Sequence, residues 1–281
     1  MEKPDVEHFL KGRVAWVTGG ASGMGQAIAL ALAEAGADVA IGSLLESGGK
    51  AVAGELVYLP GESELKEVGE KIEALGVRAF GAGLDVTSDE SVNSFYGAAV
   101  DALGKIDILA NAAGITAEQT MSDHSDTLWH KVIDVNLNGI YRTTRRCLPE
   151  MMERGWGRII NIASTAASVG APTSAAYCAS KAGVVGLSRC VALEGAESGV
   201  TCNAISPTWV ETKFGASWME NIAEVQESRR GEEYIADARE ANPQKRLISP
   251  SEIGALASFL CSEGARGITM QDLTVSGGSL W

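Results

Sequence analysis

Tyr177-Cys178-Ala179-Ser180-Lys181 sets a phenol and an ammonium four residues apart, which places both on one face of a helix. A tyrosine ordinarily titrates at about 10 and is a poor acid or base near neutrality, but a neighbouring ammonium stabilises the phenolate and lowers that value. Upstream, Ser164 follows the β-prone run Arg158–Ala163, at the carboxyl edge where open α/β sheets bind ligands. Its hydroxyl is suited to holding a substrate oxygen. Asn136 lies inside the apolar-periodic run Val132–Tyr141, where a buried amide needs partners and is awkward unless it serves a site. Together these residue types can exchange a proton with a hydroxyl or carbonyl group.

A second constellation is Thr18-Gly-x-x-x-Gly-x-Gly25, placed directly after the β-prone Arg13–Thr18 and before the Ala/Leu-rich Gln26–Ala35. Glycines there let a backbone approach a phosphate, and the free N–H groups of the helix start attract an anion, so a dinucleotide pyrophosphate fits. Gly36 ends that helix and Asp38–Ile41 is the next strand.

The alternation continues through helix Glu64–Ala74, strand Val77–Leu84, helix Asp89–Leu103, strand Ile106–Ala110, one long helix Thr127–Pro149, strand Gly157–Ala163, helix Ala175–Glu197 and strand Thr201–Ser206. It predicts an α/β fold: a doubly wound parallel sheet of Rossmann type in a single domain spanning 1–281, with helices on both faces. Two segments interrupt the rhythm. Residues 44–61 form an insertion after the second strand, and residues 211–249, charged but with Phe214, Trp218, Met219 and Tyr234 as apolar anchors, read as a helical lid over a cleft.

Composition narrows the function. The 281 residues carry 46% hydrophobic and 21% charged side chains and a net charge of −13, so a core can form and no basic stripe serves nucleic acid. No window approaches the roughly 18 apolar residues of a membrane span, and the charged N-terminus lacks an export signal, so a cytoplasmic protein is expected. The cysteines, Cys147, Cys178, Cys190, Cys202 and Cys261, contain no CxxC pair and read as reduced, small buried hydrophobes. His8, His124 and His130 have no ligand spacing and read as surface residues, so no metal is expected. Arg145-Arg146 and Arg229-Arg230 read as solvated faces.

With Asp85-Val86, Asn111-Ala-Ala-Gly114 and Asn203-Ala-Ile-Ser-Pro207 added, the ordered set resembles the short-chain dehydrogenase/reductase family over roughly residues 10–281. The resemblance implies that Tyr177 is the general acid/base and that Ser164 steadies the substrate oxygen. Lys181 would tune Tyr177 and bind the nicotinamide ribose, and Asn136 would hold a water in a proton relay. It further implies that Gly19, Ser22, Gly23, Met24, Gly25, Ser43, Asp85, Val86, Asn111, Gly114, Pro207, Val210 and Thr212, with Tyr177 and Lys181, border an NAD or NADP cofactor. Family members assemble as tetramers or dimers, and Ala175–Leu193 and Val275–Trp281 are candidate contact surfaces.

Three departures from the family pattern bear on specificity. Ser43 stands where NAD-preferring members carry an acid, yet Ser22 and Leu44 are neutral where NADP would want cations and only Lys50 could reach, which favours NAD. Thr208-Trp209 replaces a glycine turn and narrows the nicotinamide end. Ala112 replaces a second asparagine, at the expense of about 1 kcal/mol of loop hydrogen bonding.

The expected activity is hydride transfer between NAD(P) and a secondary alcohol or ketone of a small free substrate. Thr165, Ser168, Thr173 and Ser174 suggest a sugar or polyol, whereas Trp209 and Trp218 suggest a cyclic or aryl alcohol. The alternatives are a β-ketoacyl reductase, whose acidic carrier protein a chain at −13 would repel, and a dinucleotide-binding redox sensor without turnover.

Overall fold

The computed structural model describes residues 8–48, 52, 54–226 and 230–279. Lys50, Arg229 and the terminal Leu280-Trp281, all singled out from the sequence, lie outside them. In chain order the elements are β1 (Val14–Thr18), α1 (Gly23–Glu34), β2 (Asp38–Ser43), β3 (Glu55–Leu56), α2 (Glu62–Glu73), β4 (Ala79–Gly83), α3 (Asp89–Leu103), β5 (Ile108–Asn111) and β6 (Thr116–Ala117). They continue as α4 (Asp126–Ile133), α5 (Gly139–Glu153), β7 (Gly157–Ile162), α6 (Ala175–Gly195), β8 (Val200–Pro207), α7 (Lys213–Gln226), α8 (Gly231–Ala241), α9 (Pro250–Leu260) and β9 (Asp272–Val275).

Seven strands pair in the order β4-β2-β1-β5-β7-β8-β9, every pairing parallel. The central strands β1, β5, β7 and β8 are buried throughout, because helices cover both faces of the sheet. Two large apolar clusters mark those faces. One gathers Trp16, Phe95, Tyr96 and Met151; the other gathers Ile28, Leu32, Ile41, Ile72 and Ile253. The fold is thus the doubly wound α/β arrangement that the alternation predicted.

Strand order reverses between β1 and β5, and a crevice opens there at the carboxyl edge. Its floor is a close approach of two loops. A Cβ on Gly19, which adopts φ +66°, would lie 2.9 Å from the Ala113 nitrogen, and a Cβ on Gly25 would lie 2.1 Å from the Gly19 oxygen. The Thr18 hydroxyl accepts from the N–H groups of Ala112 and Ala113, each at 3.2 Å, and so holds the loop in which Ala112 stands for an asparagine.

One expectation needs correction. The long helix Thr127–Pro149 is divided: α4 ends at Ile133, a π-helical turn covers Asp134–Asn138, and α5 then runs through Pro149 to Glu153. A turn of this kind carries an extra residue, which here lets the Asn136 side chain reach the β5–β6 connection. Beyond the elements read from the sequence, α9 and β9 complete the sheet after the charged segment, and helix periodicity at Pro250–Leu260 with the Ser249-x-x-Glu252 capping box was the available signal. The insertion is partly regular too, since β3 pairs antiparallel with β6 and stitches the segment across the crevice.

The Gly25 contact is backbone against backbone, so no side chain can yield. Gly25→Ala is expected to lower Tm by at least several degrees and to weaken dinucleotide binding more than tenfold, measured by thermal unfolding and titration calorimetry.

Candidate active site

An open groove of about 490 Å³ runs along the crevice. Gly19, Ser22, Gly23, Met24, Gly25, Ser43, Asp85, Val86, Gly114 and Thr212 all border it. The N-terminus of α1 opens onto the groove with no acidic residue in its first turn and no side-chain cap from Ser22, so its N–H groups are left for an anion. The Ser43 hydroxyl accepts the Ala21 N–H at 3.0 Å and fastens the glycine turn to β2. These features fit a dinucleotide, whose pyrophosphate needs a close glycine cradle and unsatisfied donors.

Asn111 does not reach the groove. Its amide lies inside, donating to the Asn161 Oδ1 at 2.8 Å and accepting from the Thr143 hydroxyl at 2.7 Å, while the Asn161 amide donates to Ser188 at 2.9 Å. This buried network ties β5, β7, α5 and α6 beneath the site. Asn161, Thr143 and Ser188 carried no sequence signal beyond being polar residues in apolar runs.

A smaller cavity of about 60 Å³ adjoins the groove and shares Met24, Thr212 and Phe214 with it. Ser164, Tyr177, Pro207 and Val210 line it, together with Trp209 and Trp218. Ser164 sits just past β7, its hydroxyl accepting the Ala166 N–H at 3.1 Å, and Tyr177 lies in the first turn of α6. The Trp218 ring meets Tyr177 edge-on at 4.9 Å between centroids, and Trp209 meets Trp218 at the same separation. No acidic or basic residue borders this cavity among the described residues.

Lys181, one helical turn after Tyr177, is buried, donates to the Ile162 carbonyl at 2.8 Å and lies 5.6 Å from the centre of the phenol ring. Asn136 accepts from the Ile115 N–H and donates to the Ile115 carbonyl, both at 2.9 Å, and donates to the Ser180 hydroxyl at 3.0 Å. Gly114 lies against both, since a Cβ there would be 3.5 Å from Asn136 Oδ1 and 3.6 Å from Lys181 Nζ. The four residues named for proton chemistry are therefore brought together.

Their electrostatics differ from the expectation of an ammonium-acidified phenol. Burial pushes Tyr177 up to about 12; the Ser164 hydrogen bond opposes this, and the negative charge of Glu118 adds to it. The Lys181 amine is turned to a carbonyl at this distance from the ring, and burial alone lowers it to about 8. Desolvation is the largest cause at both groups.

Other candidates fall away. Thr173 and Ser174 donate to the Glu118 carboxylate, at 2.6 and 2.7 Å, so these hydroxyls are spent, and Ser168 does not border the cavity, whereas Thr165 does. Arg145 pairs with Asp89 and Arg146 with Glu150. His124 is half-buried beside Trp129, not a surface residue. Cys190 is exposed and Cys178 half-buried, so only Cys147, Cys202 and Cys261 are the buried hydrophobes expected. Among the described residues no group of His, Cys, Asp or Glu could hold a metal, and no helix is long and apolar enough to cross a membrane.

Residues missed from the sequence close the groove. In the insertion, Tyr58 donates to Glu64 at 2.6 Å, and Lys213 at the start of α7 donates to both at 2.8 Å, so insertion and α7 meet over the opening. Nothing in the sequence paired residues 149 positions apart.

A lysine whose folded value is depressed binds fewer protons in the folded chain than in the unfolded one between about 8 and its ordinary 10.5, so stability rises with pH across that window and the burial penalty is complete below it. That penalty is about 3 kcal/mol at pH 7. Lys181→Met is expected to raise Tm by several degrees at pH 7 and to lose this advantage above the window, read by calorimetry across pH.

Comparison with known proteins agrees with this architecture. A family model described as "Enoyl-(Acyl carrier protein) reductase" matches residues 19–279. The chain is 39% identical over 272 residues to the monensin polyketide synthase putative ketoacyl reductase of Streptomyces virginiae, covering 95% of this chain and 96% of that one. It is 35% identical over 275 residues to the D-beta-hydroxybutyrate dehydrogenase of Cupriavidus necator, with 96% and 98% covered. A crystal structure of actinorhodin polyketide ketoreductase with NADPH superposes with a TM-score of 0.85 at 35% identity, covering 99% of this chain and 98% of that one. With its parallel sheet, its glycine-lined groove and relatives matched along nearly their whole length, the chain belongs to the short-chain dehydrogenase/reductase family.

Proposed function

We propose that this oxidoreductase moves a hydride between NAD and a small secondary alcohol or its ketone, with Tyr177 exchanging the proton on the substrate oxygen. The observation that carries this reading is that Ser164 and Tyr177 both line a cavity that shares Met24, Thr212 and Phe214 with the groove. The dinucleotide, when bound, supplies or accepts the hydride. Gly19, Ser22, Gly23, Met24, Gly25, Asp85, Val86, Gly114 and Thr212 would hold it.

Because burial holds Tyr177 at about 12, the phenol is protonated near neutrality and is a ready acid for ketone reduction. Ser164 orients the substrate oxygen toward it. Lys181, at about 8, titrates where it can pass a proton on and would contact the nicotinamide ribose. Both amide hydrogens of Asn136 are engaged by Ile115 and Ser180, so we assign the relay water to main-chain groups of the π turn that Asn136 pins.

The choice of NAD rests on the charges bordering the groove. Glu55, Glu64, Asp85 and Glu211 border it against Lys131 and Lys213, with no arginine among the described residues, and Lys213 is committed to Glu64, so carboxylates outnumber the cations a 2′-phosphate would need. The apolar, aromatic cavity favours a cyclic or aryl ketone over a sugar or polyol. The names of the relatives favour a second reading, reduction of a ketoacyl thioester, against which stands the net charge of −13. Exposed Tyr141 on α5 and Leu193 on α6 support self-association, testable by light scattering.

Cofactor oxidation by the purified protein with NADH and NADPH, across cyclic, aryl and sugar ketones and an acetoacetyl thioester, should give highest activity with NADH and cyclic or aryl ketones; exclusive use of the thioester would overturn the small-substrate reading. Tyr177→Phe should cost at least about a hundredfold in turnover with dinucleotide affinity within about twofold. Alcohol oxidation, which needs the phenolate, should climb with pH between about 7 and 10, while ketone reduction should not.

A further inference from the structure

Glu118 follows β6 and is half-buried, and its carboxylate gathers three parts of the site. One oxygen accepts from the Trp218 indole N–H at 2.6 Å and from the Ser174 hydroxyl at 2.7 Å; the other accepts from the Thr173 hydroxyl at 2.6 Å and from Ser174 at 2.9 Å. Ser174 is the N-cap residue of α6, three positions before Tyr177, and Thr173 beside it holds φ +65°, a strained backbone for a β-branched residue. A carboxylate at a helix start is favourably placed against the helix dipole. The third donor, Trp218, comes from α7, a different part of the chain.

The consequence is geometric. Trp218 is the ring that meets Tyr177 edge-on at 4.9 Å, and Trp209 and Phe214 lean on it at 4.9 and 6.1 Å. Van der Waals contacts alone would let an indole slide along its neighbours; a charge-assisted N–H bond fixes its rotation. The Trp218 wall of the cavity is thus set by a carboxylate that does not border the cavity itself.

We infer that Glu118 is a positioning residue for specificity: by anchoring the Trp218 indole to the N-terminus of the helix bearing Tyr177, it fixes the width of the substrate cavity and confines the substrate to small or flat ketones. This rests on the proposed ketone reduction at Tyr177. Removing the anchor frees the indole to turn away, so the cavity widens, contacts to a small substrate are lost, and a bulkier one is admitted.

The test compares Glu118→Ala, Glu118→Gln and Trp218→Phe in the full chain, using cyclohexanone as the small probe and 2-phenylcyclohexanone as the bulky one. Glu118→Ala should raise KM for the small ketone about tenfold with a lesser change in kcat, and raise kcat/KM for the bulky ketone several-fold. Glu118→Gln, whose amide oxygen still accepts from the indole, should restore most of the original preference. Trp218→Phe should shift preference in the same direction as Glu118→Ala, and the double variant should add nothing further.

An independent readout separates this inference from the functional reading. In 5-fluorotryptophan-labelled protein, the resonance lost in Trp218→Phe should move in Glu118→Ala and stay near its place in Glu118→Gln. An unmoved resonance, an unchanged ratio between the two ketones, or equal loss of both with no rescue by glutamine overturns the inference. If the wild type reduces neither ketone nor any other in the panel, the proposed reaction falls, and the resonance shift alone then decides whether Glu118 fixes Trp218.

Discussion

An ammonium kept in the protein interior with no ion-pair partner among the described residues is the constraint around which this site is arranged. Lys181 meets the Ile162 carbonyl and packs beneath Gly114, which itself borders the groove. Holding it there lowers stability, and the fold tolerates the penalty because β7, α6 and the π turn are each fixed by other interactions. The lysine in turn explains why its neighbours are polar: Ser180 and Asn136 form a buried chain of hydrogen bonds beside it that leaves neither amide hydrogen of Asn136 without a partner.

The second organising feature is the reversal of strand order between β1 and β5. Parallel strands direct their carboxyl ends to one edge, so Gly19, Ser43, Asp85 and Ser164, distant in sequence, open on a common rim. The glycine turn permits backbone to approach backbone, and the helix behind it presents uncapped donors. Above that rim the chain adds parts of its own: the insertion, stitched down by β3 against β6, and α7, which delivers the aromatic wall.

Both parts are fastened by carboxylates. Glu64 joins the insertion to Lys213, and Glu118 joins the start of α6 to Trp218. The first contact is exposed and the second half-buried, so solvent screens the Glu64 pair far more than the indole bond to Glu118. The groove is accordingly held more loosely on the insertion side than on the aromatic side.

Most of the architecture was legible in the chain itself. Alternating strand and helix periodicities, the glycine turn and the Tyr-x-x-x-Lys spacing are local patterns, and local patterns follow from backbone geometry within a few residues. Hence the parallel sheet, the cradle and the meeting of Tyr177 with Lys181 and Ser164 could all be anticipated. What tertiary structure alone decided was contact between distant residues and the balance of burial against charge. The π turn at Asn136 brings that amide to Ile115; Asn111 is turned inward to Asn161 and Thr143; and Tyr177 is raised, not acidified, because burial disfavours its phenolate while the Lys181 amine, 5.6 Å from the ring centre, is turned to the Ile162 carbonyl. None of these is a property of a short stretch of sequence, since each depends on which groups the fold places side by side and on how much solvent it leaves between them.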